Sequence, residues 1–96
     1  MTVANLLQEL DAMPHGLPIY GSCCGIVRVD PGIAVVNLIA PCIPGQPQET
    51  RYTVAALATA LEGVDGTTLL YVNGKPAQLV GIDEDDHGTF ADVWAG

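Results

Sequence analysis

Ninety-six residues, 49% of them hydrophobic and only 15% charged, make one domain with a sizeable core and few charges to cover it. The formal net charge of −8 sets the chain against polyanions, so direct binding to DNA or RNA and adsorption to an anionic membrane are not expected. Three cysteines, Cys23, Cys24 and Cys42, are odd in number and contain no C-x-x-C pair, so they read as three reduced thiols, not as a disulfide framework or a zinc site.

Val3, Leu6, Leu7 and Leu10 fall at i, i+3, i+4 and i+7, one face of a helix, with Thr2 placed to cap it. Glu9 and Asp11 interrupt its apolar residues and no basic segment precedes them, so a signal peptide is not expected. Pro14 and Gly16 close the helix. The next stretch, "LPIYGSCCGIVRV", reads as a hairpin turning near Ser22-Cys23, with Val27 and Val29 on one face and Arg28 on the other. "VDPG" then turns into "IAVVNLIA", which is apolar on both faces: Ile33, Val35 and Ile39 on one, Ala34, Val36 and Leu38 on the other. The weakly polar run from Gly32 to Ile43 is too short to cross a bilayer. "PCIPGQPQET" is a linker, because proline breaks both helix and ladder.

A second helix follows, with Thr53 as cap, Val54, Leu57, Ala58 and Leu61 as its stripe, and Gly63 at its end. "TLLYVNGKPAQLVGI" reads as a hairpin, since Asn73-Gly74 suits a type I′ turn, and Val80 and Ile82 share one strand face. "DEDDHG", Asp83 to Gly88, reads as an acidic turn before a last strand, "TFADVWA". On that strand Phe90 and Trp94 share one face with Asp92 between them, and Ala91 and Val93 fill the other. Phe90 and Trp94 are expected to face the core more than a partner.

Shifted by fifty-one positions, Thr2, Val3, Ala4, Leu6, Leu10 and Tyr20 meet Thr53, Val54, Ala55, Leu57, Leu61 and Tyr71. After a two-residue gap Ile26, Val27, Val29 and Asp30 meet Leu79, Val80, Ile82 and Asp83, and a longer turn brings Gly32 opposite Gly88. The expected fold is therefore α+β, a tandem duplication of an α-β-β-β unit with about six mainly antiparallel strands and two helices on one face. The first repeat spans about 2–40, the linker about 41–50 and the second repeat about 51–96, all within a single domain.

The pattern T-V-x-x-L-x-x-x-L-x-x-[LMV] followed by a polar or proline turn is carried by Thr2, Val3, Leu6, Leu10, Met13 and Pro14. It recurs at Thr53, Val54, Leu57, Leu61, Val64 and Asp65. It resembles the opening of small uncharacterised proteins of actinobacteria and their phages. The resemblance covers about twenty residues of each half. It implies a phage or mobile-element setting, and it carries over no functional residue.

Asp83, Asp85 and Gly88 match positions 1, 3 and 6 of a calcium loop, but Trp94 stands where the bidentate Glu belongs, so a solvated acidic turn is expected and no metal. His15 and His87 have no nucleophile motif nearby, and "GSCCG" lacks the spacing and lysine of a phosphate loop, so neither enzyme activity nor a cofactor is expected. What remains is a non-enzymatic acidic protein of the cytoplasm that binds a protein partner, in a phage setting a host protein. Asp83, Glu84, Asp85, Asp86, Phe90 and Trp94 are its candidate contacts. One alternative is mimicry of nucleic acid toward a basic partner. Another is a ligand or enzyme site between the repeats, lined by His15, Tyr20, Cys23 and Cys24. The strand apolar on both faces needs cover on both, so a two-fold homodimer through Ile33, Val35 and Ile39 is expected.

Overall fold

The computed structural model describes residues 1–42, 49–86 and 88–95. Residues 43–48 of the expected linker, His87 and Gly96 lie outside the described residues. Helix α1 (Val3–Asp11) begins at a reciprocal cap, in which the Asn5 N–H donates to Thr2 Oγ1 at 3.2 Å and the Thr2 N–H to Asn5 Oδ1 at 3.0 Å. Helix α2 (Val54–Leu61) begins at Thr53, whose Oγ1 accepts the Ala56 N–H at 3.1 Å. Val3, Leu6 and Leu10 of α1 and Val54, Leu57 and Leu61 of α2 are buried. Leu7 and Ala58, at the margins of the two stripes, are only partly covered and line the groove between the helices.

Seven strands form one mixed sheet: β1 (Ile19–Gly21), β2 (Cys24–Gly25), β3 (Arg28–Pro31), β4 (Val35–Ile39), β5 (Leu69–Val72), β6 (Lys75–Asp85) and β7 (Gly88–Ala95). Their order is β2-β1-β7-β6-β5-β4-β3, with β1–β7 and β4–β5 parallel and the other neighbours antiparallel. The α+β class and the two helices match the sequence reading. The count of six strands is corrected to seven, because one expected strand of the first half is split into β2 and β3. Its middle residue, Ile26, turns its backbone to the returning chain: its N–H donates to Thr50 Oγ1 at 3.1 Å and its carbonyl accepts the Arg51 N–H at 2.8 Å. Gly25 lets that chain come so close, since a Cβ there would stand 2.8 Å from the backbone of Glu49 and Thr50. The matching strand of the second half, β6, runs unbroken from Lys75 to Asp85.

The ends of the strand order meet. Only Ile26 and Val27 separate β2 from β3, so Gly25 and Arg28 lie no more than about 11 Å apart, and the sheet curls back on itself. Its inner face carries Ile19, Val36, Leu38, Leu70, Val72, Ala91 and Val93, all buried, and the buried helix residues belong to the same core. Inner residues differ in size between the halves so that they fit one another. A Cβ on Gly21 would come within 2.9 Å of Val72 and 3.1 Å of Ala40, so the small residue of one half makes room for the large one of the other.

The backbone bonds recur at the spacing from Thr2 to Thr53. Val3 N–H donates to Thr68 O and Val54 N–H to Leu17 O, both at 2.8 Å. Ala4 to Gly66 is matched by Ala55 to His15, each at 3.0 Å, and Leu70 to Met1 is matched by Ile19 to Tyr52. The bridge Thr2–Leu69 is answered by Pro18–Thr53. Each helix start is thus tied to the first strand of the other half. Pairing fixes the register beyond the hairpins as well: Tyr20 opposes Gly25 as Tyr71 opposes Pro76, and Val29 opposes Leu38 as Val80 opposes Val93. The two-residue gap read from apolar matching is therefore absent. Ile26 stands in register as Ala77 does and Arg28 as Leu79 does, and the second half is longer where β6 and β7 extend toward their hairpin tip.

Candidate functional site

The acidic run is not a turn. Asp83, Glu84 and Asp85 belong to β6 and oppose Phe90, Thr89 and Gly88 of β7, leaving Asp86 at the hairpin tip. Consecutive carboxylates on an exposed two-stranded ribbon keep their hydration, so the pairing costs little in desolvation. Gly88, at φ +127°, supplies the backbone angle that resumes the strand. Among the described residues no group of three His, Cys, Asp or Glu side chains is disposed to hold a metal ion.

β7 turns its small residues inward. Ala91 and Val93 are fully buried, while Phe90 is half-buried and Trp94 is 38% exposed. The face expected to enter the core is thus the outer one, because inside the curled sheet β7 lies among Ile19, Leu38, Leu70 and the helix leucines, which leave its own inner positions to smaller side chains. Outside, Leu79 lies directly opposite Trp94 and is 53% exposed. Phe90 meets Tyr20 of β1 edge-on, with ring centroids 5.3 Å apart. Ile82, 52% exposed, is on the other side of the ribbon, where the hairpin runs past the core. The corresponding outer positions of the first half carry Arg28 in place of Leu79, Val35 in place of Phe90 and Ile39 in place of Trp94. Val35 and Ile39 are half-buried, and Ile33 stands fully exposed in the turn before β4, outside any strand.

Asp92 lies between Phe90 and Trp94 on this outer face, yet it is the one charged side chain that is fully buried among the described residues. The β1–β2 turn covers it. Ser22 and Cys23 have φ of 49° and 67°, as Asn73 and Gly74 have 51° and 79° in the second hairpin, so both hairpins turn alike. The Cys23 N–H donates to Asp92 Oδ1 at 3.0 Å and the Cys23 thiol to Oδ2 at 3.3 Å. At the matching place the Gly74 N–H donates to Asn37 Oδ1 at 2.9 Å. A neutral amide does there what a buried carboxylate does here. The Cys23 thiol is pushed up to about 11, by burial first and then by its bond to Asp92 and the charges of Asp92 and Asp83. That holds it in the protonated, weakly nucleophilic form at neutral pH.

Cys24 and Cys42 form a disulfide, with Cα atoms 5.4 Å apart. The expectation of three reduced thiols is therefore corrected: the fold brings the end of β4 back beside β2, and only Cys23 is free. The four residues expected to line a pocket between the halves are not assembled. Tyr20 packs on Phe90, Cys23 on Asp92 and Cys24 on Cys42, and of the four only His15 reaches the groove between α1 and α2. That groove, about 560 Å³, has Leu7, Leu10, Val54 and Ala58 along it and Asp11 and Glu62 among its polar residues.

The Asp92 carboxyl is held above the usual carboxylate range, by burial first and by the charge of Asp83, against the opposing bonds from Cys23. Its folded pKa exceeds its unfolded one, so the stability it contributes is complete below the ordinary aspartate value and is lost as pH rises through the folded pKa. Asp92→Asn, which keeps an acceptor for the Cys23 N–H, should therefore unfold at a higher urea concentration than the wild type at pH 7. A gain of about 1 kcal/mol is worth several degrees in a domain of this size. At pH 3 the two midpoints should converge; a variant equally or less stable at pH 7 would contradict this reading.

Neither a protein family, nor a characterised protein, nor a solved structure matches the chain. Among the described residues no helix is long and apolar enough to cross a membrane.

Proposed function

We propose that the protein is a non-enzymatic binding module, phage-encoded as its resemblance implies, that docks onto a host protein through the outer face of the β6–β7 ribbon. The observation that carries this reading is the exposed pair Leu79 and Trp94, side by side on the outer face and flanked by the Tyr20–Phe90 contact. Aromatic anchors with an apolar neighbour and a polar rim are the usual make-up of a protein-binding hot spot. Asp83, Glu84, Asp85 and Asp86 supply an acidic rim at one end, so the partner presents basic residues around an apolar centre. Mimicry of a polyanion asks for carboxylates spaced along a face, and the clustering of these four at one hairpin does not favour it. A nucleophilic role for Cys23 is disfavoured by its bond to Asp92.

The tandem duplication of an α-β-β-β unit belongs to the same proposal, supported by the recurrence of the helix-start and hairpin bonds between the halves. On this view the two copies have diverged on their outer faces, where Arg28 stands in the first and Leu79 in the second. A two-fold homodimer is the alternative occupant. If it forms, the Leu79–Trp94 face is better placed to make it than Ile33, Val35 and Ile39, two of which are half-buried. The Cys24–Cys42 disulfide weighs against the cytoplasmic setting expected from the sequence, since lasting disulfides belong to oxidising compartments.

Pull-down from an actinobacterial lysate with the tagged wild type and with Leu79→Ser/Trp94→Ala tests the proposal. A hot-spot pair predicts at least a tenfold loss of the retained partner in the variant, with little change in stability because both residues are on the surface. Equal retention by the two proteins would overturn it, and light scattering on the same samples distinguishes a second copy from a foreign partner.

A further inference from the structure

We propose that Asp92 guards the disulfide pairing: by holding the Cys23 thiol it keeps that sulfur out of exchange with the adjoining Cys24–Cys42 bond. Cys23 is the chain neighbour of Cys24, and Cys24 is bonded to Cys42 with Cα atoms 5.4 Å apart, so the free thiol is one backbone step from the disulfide. In exchange, a Cys23 thiolate would attack one sulfur of the Cys24–Cys42 bond. A new S–S bond would form, the old one would break, and the displaced sulfur would leave as a thiolate, with no oxidant consumed.

The two hairpins isolate what the carboxylate adds. Asn37 takes the turn N–H of Gly74 as Asp92 takes that of Cys23, so one oxygen suffices for the turn. The second oxygen of Asp92 has a different task, since it accepts the Cys23 thiol at 3.3 Å. That bond occupies the thiol and keeps its proton in place. The charged groups that face the thiol are Asp92 on β7 and Asp83 on β6, both negative, and both oppose thiolate formation. Replacing Asp92 removes the thiol's acceptor and one of these charges while its burial and Asp83 stay, so the thiolate fraction rises and exchange quickens, partly offset by the lower reactivity of a less basic thiolate.

The test uses the oxidised protein without added thiol at pH 8.5. Free cysteines are trapped with iodoacetamide at intervals and the disulfides are mapped by peptide mass spectrometry. The wild type should keep Cys23 as its free cysteine, while Asp92→Asn should accumulate species with Cys24 or Cys42 free several-fold faster. Val93→Ala, which loosens the same strand without touching the carboxylate, should exchange at the wild-type rate. A second measurement needs only the wild type: Cys23 alkylation should rise with a midpoint of about 11. Equal exchange in the wild type and Asp92→Asn, equal acceleration by Val93→Ala, or a Cys23 midpoint in the ordinary thiol range would each overturn the proposal.

Discussion

Leu57→Ala should cost the protein about 2–5 kcal/mol, the range for deleting a fully buried leucine whose surroundings cannot close over the space. Leu57 is wholly inaccessible, at the middle of the buried stripe of α2, and Leu6 holds the same place on α1. A helix this short has little stability of its own, so its leucines are what hold it to the curled sheet. A domain of this size has roughly 5–15 kcal/mol in all, and the loss would lower the thermal midpoint by roughly 10 °C or more. Leu6→Ala should fall in the same range, because both leucines belong to one core and both are fully buried. Urea denaturation of both variants measures this. A loss below about 1 kcal/mol for either would mean that its helix is not packed as described.

Removing the disulfide, by reduction or as Cys24→Ser/Cys42→Ser, should cost about 3 kcal/mol, the chain-entropy value for a loop of this length. The two cysteines are 18 residues apart in sequence, and the loop between them contains β3 and β4. The bond sits beside the place where the sheet's two ends meet, and it ties β2 to the chain leaving β4. Thr50 holds the same corner, since its hydroxyl donates to the Ile19 carbonyl and accepts the Ile26 N–H. With both supports present the seam is closed; without the disulfide only the hydrogen bonds remain. The urea midpoint should fall by about 1 M or more, given the usual dependence of stability on denaturant. An unchanged midpoint would show that the seam closes without the covalent tie.

Much of the fold was legible because its local signals are strong. Threonine caps, leucines at helical spacing and Asn73-Gly74 each place an element by themselves, and the structure puts the helices and that hairpin where those residues say. Ser22-Cys23 makes the same turn as Asn73-Gly74 without a glycine, and only its position in the pattern betrayed it. The non-local features were hidden. Apolar matching drew Ile26 and Val27 onto Leu79 and Val80, whereas the pairing aligns Ile26 with Ala77, a small residue in the same inner position. The acidic run lacks any strand pattern, and it is a strand because β7 pairs with it.

At the candidate site the sequence marked Phe90, Trp94 and the acids of the hairpin but assigned the core to the wrong face of β7. That choice depends on how much room the curled sheet leaves inside, which no window of residues reveals. In the sequence Asp92 reads only as a spacer between aromatics. Its burial follows from a turn sixty-nine residues away in sequence, and the only local hint was a lone carboxylate among apolar neighbours. The Cys24–Cys42 pairing was hidden for a like reason: an odd count with two adjacent cysteines gives no framework to read.

The outer face of β6–β7 as the binding surface is tested most directly by photo-crosslinking from two positions. A crosslinking residue is placed at Gly81, on that face beside Leu79 and Trp94, where an added side chain meets nothing within 4 Å, and in a second protein at Ala60, exposed on α2. Each is irradiated in an actinobacterial lysate, and the adducts are separated by mass. The account predicts a discrete adduct from position 81 and none from position 60. Adducts of equal yield from both positions, or from position 60 alone, would contradict it.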